Sequence, residues 1–168
     1  MDADRGPGAF RRPAVFIWIL VFLLGGTMAY ALFNTDLKVE GQGLRVIPAA
    51  DRADLFREQT GRAAIGAFDG MVYASGMPDD PDGCEYRVYT LRLRDLCPVS
   101  AERVEFSVYP SAGDILMYQP VRRAVISPGE SLDLSFVILT KTGGGDTRDI
   151  RLTYYLWGNK CETRYVYH

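Results

Sequence analysis

The chain has 168 residues, a formal net charge of −2, 17 glycines, 9 prolines and 10 tyrosines. Its interspersed charges exclude the clustered basic surface of a nucleic-acid-binding protein. Its single histidine is the last residue, so it also lacks the internal imidazole on which Ser-His-Asp and Cys-His catalysis depends.

Residues 1–12 form a short tail, read as cytoplasmic, that carries Arg5, Arg11 and Arg12. Residues 13–33, PAVFIWILVFLLGGTMAYALF, contain no charge, and a bilayer core requires roughly 20 apolar residues in a helix. The run predicts a single transmembrane helix with Pro13 in its first turn. Asp36, Lys38 and Glu40 follow it, so the basic flank is expected in the cytoplasm and the remainder outside. The segment also fits a signal peptide cleaved after Ala31, because Ala29-Tyr30-Ala31 matches the small-x-small cleavage pattern. The anchor is preferred, since the apolar run continues to Leu32 and Phe33. Either way the body of the chain is expected to be extracytoplasmic.

Residues 34–69 read as a connector. It comprises a polar spacer over 34–43, a short strand over 44–47 and a brief helix over 48–59. Pro48 opens that helix, Leu55 and Phe56 mark its apolar side, and Gly61 is the expected stop. From Gly70 the period becomes two. Strands are predicted over 71–75, 85–96, 103–109, 115–119, 121–126, 131–140, 150–157 and 162–167. A change of phase near Val88-Tyr89 suggests a bulge. The stretches 78–83 (PDDPDG) and 127–130 (SPGE) are turns, Pro120 belongs at an edge or bend, and the glycine-rich 142–146 is a flexible loop. The polar–apolar alternation gives each strand one apolar face, so two sheets must bury those faces together. The expected fold is mainly β: a transmembrane helix, a short helix, and an antiparallel sandwich over 70–168.

The stretches YTLRLRDL, RVEFSVYP, ISPGESLDLSFVI and IRLTYYLWG, in that order, resemble bacterial immunoglobulin-like or fibronectin-III-like β-sandwich modules. The resemblance covers about half the chain and implies the sandwich architecture. The three cysteines do not sit mid-strand around a core tryptophan, as they do in antibody-type domains, so no family function is implied.

Cys84 and Cys97 bracket one predicted strand whose extended ends lie roughly 40 Å apart, too far for a bridge. Cys161 is the shared candidate partner, and Cys97–Cys161 is the preferred disulfide; three unpaired thiols is the alternative. No ligand-type spacing points to a metal, and no cofactor is expected. Tyr155 and Trp157 alternate away from the core face of their strand, Tyr165 and Tyr167 share one face of the next, and Tyr109 lies on a polar face. Exposed aromatics on a sheet bury much area at low entropic cost, so these five are the candidate binding residues. The competing placement puts some of them beneath residues 44–68. These features predict a non-enzymatic, membrane-anchored extracytoplasmic domain that binds or positions another envelope protein. A carbohydrate- or cell-wall-binding module is the alternative.

Overall fold

The computed structural model describes residues 11–33, 36–119 and 124–167. The first compact unit holds helix α1 (Arg11–Phe33). Its described side chains are exposed on every side, from Phe16 (74 %) to Trp18 (65 %) and Phe22 (77 %). Among the described residues no helix is long and apolar enough to cross a membrane. The fold alone therefore leaves the expected transmembrane helix unsupported.

The second unit, from Asp36 onward, is a sandwich of two antiparallel sheets. Its strands are β1 (Leu37–Pro48), β2 (Met71–Val72), β3 (Cys84–Asp95), β4 (Ala101–Val108), β5 (Asp114–Tyr118), β6 (Ala124–Ile126), β7 (Ser131–Lys141), β8 (Arg148–Leu156) and β9 (Asn159–Tyr167). A short 3-10 turn and helix α2 (Ala53–Ala64) follow β1. The five-stranded sheet has the order β1-β3-β7-β5-β2, and the four-stranded sheet β6-β4-β8-β9. Alternating residues of both sheets meet in one core, with Tyr89, Leu91 and Leu93 facing Leu152, Tyr154 and Leu156. Tyr89 stacks on Phe136 at 4.9 Å between centroids and meets Tyr167 edge-on at 5.0 Å. Such aromatic pairs add about 0.5–1.5 kcal/mol beyond their buried area.

Three expectations are corrected. The stretch 34–43 is not a spacer, because β1 begins at Leu37 and pairs with β3 along its length. Its sequence hides this: as an edge strand it buries only Leu37 fully, and Gly41 and Gly43 leave no alternation to read. The bulge lies on β1, between Val39 and Gly41, rather than at Val88-Tyr89, where β3 pairs with β7 without a break. The change of phase arises because β3 is buried on both faces at that end. Tyr89 enters the main core, while Tyr86 enters a second core with Phe56 of α2, Ile115 and Leu139. Helix α2 also runs through Gly61 to Ala64, and the chain turns instead at Gly66, with φ +71°. Of its two expected apolar residues, Phe56 is buried and Leu55 is exposed.

The expected strand 71–75 is reduced to the two residues of β2, and β9 begins at Asn159 rather than 162; the other strands lie close to their expected positions. Pro120 and the start of the 121–126 strand lie outside the described residues. The part that is described, β6, is an edge strand of the four-stranded sheet.

Candidate partner-binding face

The outer face of the four-stranded sheet is built by β4, β8 and β9. A register shift in β4 around Arg103, whose φ is +50°, turns this arginine outward. Its guanidinium carbon lies 5.6 Å from the centre of the Tyr155 ring. Four residues before Tyr155 on β8, Arg151 lies 5.4 Å from the ring centre of Tyr109. The Tyr109 amide donates to Asp149 O at 3.0 Å, fixing the ring just beyond β4. Arg151 Nε lies 3.1 Å from Glu162 Oε1, an ion pair without hydrogen-bond alignment. The result is a band in which two tyrosines alternate with two arginines. Each Arg–ring contact is worth about 0.5–1 kcal/mol at an exposed site. Residues 44–68 do not cover this face: α2 packs on the outer side of the other sheet.

The five candidate aromatics separate into three groups. Tyr109 and Tyr155 share the outer face. Trp157 is exposed but stands at the tip of the β8–β9 hairpin rather than on the face. Tyr165 and Tyr167 point inward, a correction to their expected exposure. Tyr167 is 2 % exposed against Tyr89, and the Tyr165 hydroxyl donates to Gln42 Oε1 at 2.8 Å, fastening β9 to β1. The sequence of β9 misleads because its outward residues include Val166 while its inward residues include Thr163.

All three cysteines are free thiols, so the expected Cys97–Cys161 bridge is not formed. Cys97 sits in the main core and Cys161 packs against it, whereas Cys84 belongs to the second core. Burial first, and then the Asp95 carboxylate, push the Cys97 thiol up to about 12, which leaves it protonated and unreactive at neutral pH. Among the described residues no group of three or more His, Cys, Asp and Glu side chains gathers where a cation could sit. A cleft of about 380 Å³ is lined by Asp69, Met71, Glu105 and Gln119 among others and carries no assignment.

The most unusual polar cluster was not legible in the sequence. Asp114 and Arg148 form a 2.9 Å ion pair in which both side chains are wholly buried. Arg148 also donates to Gly145 O at 2.6 Å and Thr147 O at 2.9 Å, and Arg87 donates to the same Gly145 carbonyl at 2.6 Å. Two buried arginines thus pin the glycine-rich loop that composition reads as flexible. An inward arginine on a strand, such as Arg87 two residues before Tyr89, is the one available signal.

No protein-family model matches the chain, and no curated protein matches it. Among solved structures, the crystal structure of a FixG-related protein from Vibrio parahaemolyticus is similar over 77 % of this chain and 96 % of its own, at 18 % identity and a TM-score of 0.33. A likeness at that level carries neither fold nor function to this chain.

Proposed function

We propose that the chain is a single-pass membrane protein whose extracytoplasmic, immunoglobulin-like domain binds or positions another envelope protein without catalysing a reaction. The observation that carries the membrane part is α1. It is apolar around its whole circumference, and Arg11 and Arg12 stand before its uncharged run. A helix with no polar face finds a partner for its surface in lipid. The Thr27 hydroxyl in that run donates back to the carbonyls of Leu23 and Leu24 at 2.9 Å, as apolar surroundings demand.

The binding part rests on the Tyr109–Arg151 and Arg103–Tyr155 band. Tyrosine and arginine are the residues that dominate binding energy at interfaces. The test uses the full chain in its own membranes, with a photocrosslinking residue at Thr153, on β8 between Arg151 and Tyr155. A control carries it at Ser135, on the other sheet. A discrete protein adduct from position 153, absent from 135 and lost in Tyr155→Ala, is expected. No adduct, or the same adduct from both positions, contradicts the reading.

A further inference from the structure

The β8–β9 hairpin closes with two residues, Trp157 and Gly158, because Leu156 pairs directly with Asn159. Both have positive φ, +50° and +77°. Such tight hairpin turns favour Asn-Gly, since the left-handed region is strained for other L-residues and most of all for bulky ones. A tryptophan here is a poor choice for folding, and it is 52 % exposed, so burial does not compensate. A strained residue kept at an exposed tip points to a use outside the fold.

The position of the tip identifies that use. The Leu37 amide donates to the Tyr154 hydroxyl at 3.4 Å, so β1 begins at the end of the sandwich where β8 finishes. The other end of β8 is fixed by the Arg148–Asp114 pair, so the strand runs towards Leu37 and Trp157 lies about 10 Å beyond Tyr154 at 3.3 Å per residue. Leu96, 41 % exposed, follows Asp95, the β3 partner of Leu37, at the same end. Only residues 34–36 separate this end from the last residue of α1. Covalent geometry limits the four steps from Phe33 to Leu37 to roughly 14 Å, whereas the headgroup layer on each side of a bilayer is about 5–8 Å thick. With α1 in a bilayer, so short a connector leaves the Trp157 end within reach of the headgroups, and an amphipathic indole is the side chain that favours headgroup depth.

We propose that Trp157, with Leu96 at the same end of the sandwich, inserts into the outer interface of the membrane and fixes the domain on it, leaving the tyrosine–arginine band free to face a partner. This rests on the anchored reading of α1. The chain has two tryptophans, Trp18 and Trp157, which allows a direct test. The full-length Trp18→Phe protein, with its sandwich untouched, is reconstituted in phosphatidylcholine vesicles with and without bromine near the headgroup end of the acyl chains. A Trp157→Phe protein reports Trp18 in parallel. Loss of Trp157 emission to bromine, with a blue shift relative to a Trp157 freed into water by denaturant, is expected. Trp157 left unquenched while Trp18 is quenched overturns the insertion and leaves the anchor standing. Trp18 left unquenched overturns the anchor, and the insertion with it. Trp157 shielded from aqueous acrylamide yet unquenched by bromine assigns the tip to a second copy of the chain and also overturns the inference.

Discussion

The Arg148 guanidinium has no contact with solvent, and its main counter-charge, Asp114, is equally buried. Removing one member strands the other as an unpaired buried charge, which costs about 3–5 kcal/mol. Arg148→Met is therefore expected to lower unfolding free energy by that amount in urea titration. The Asp114→Leu/Arg148→Met double variant is expected to lose less than the two single changes added together. The opposite sign holds at the hairpin tip. Trp157→Asn replaces a strained left-handed residue with one that tolerates that region, and is expected to raise stability by about 1 kcal/mol in the same titration. A fold that weakens on this change would mean the indole supports the sandwich rather than reaching out from it. Tyr109 and Tyr155 of the proposed binding band sit between these extremes, each with an arginine over its ring.

Among the elements, α2 is the piece that completes the second core, through Phe56 and the Tyr86 hydroxyl, which donates to Gln59 Oε1 at 3.1 Å. Gly61 lies in the helix interior with open space where a side chain would stand. Gly61→Ala is expected to stabilise the domain by about 1 kcal/mol, read as an upward shift of the thermal midpoint. The strands that face one core only, such as β4 and β8, were legible because alternation reports a single buried face. Val104, Phe106 and Val108 are buried as expected, and so are Ile150, Leu152, Tyr154 and Leu156. Legibility failed where that condition fails. β3 and β7 are buried on both faces near α2, and β1 is an edge strand with glycines. The left-handed conformation of Trp157 was hidden for another reason: hairpin length is a property of pairing register, and no residue type announces it. Of the candidate site, Tyr109 and Tyr155 were identified from alternation, while their common face depended on β4 and β8 being neighbours.

At the scale of the whole molecule, the two cores share an alkaline limit. Burial raises the Tyr73 and Tyr86 hydroxyls from the ordinary 10.0 to about 12, and the Cys97 thiol from 9.0 to about 12. The unfolded chain releases these protons at their ordinary pH, and the folded chain holds them until near pH 12. Unfolding is thus favoured as pH rises. Stability from these groups is fully present below pH 9 and is expected to fall steadily between pH 9 and 12, measured by urea titration at each pH. A profile flat to pH 12 would mean these side chains are solvated. Polarity along the sandwich links the scales. The buried arginines and their loop lie at one end, and Leu96 and the Trp157 turn, both exposed, at the other, so one end is pinned by charge pairs and the other is free to make the contact proposed for it.

Protease protection of the full chain, tagged at its C-terminus and treated in intact spheroplasts, tests the topology on which both proposals stand. Removal of the tag from outside, with the remaining α1 polypeptide still in the membrane pellet, is the expected result. A tag that stays protected until the inner membrane is broken would place the sandwich in the cytosol and contradict the account.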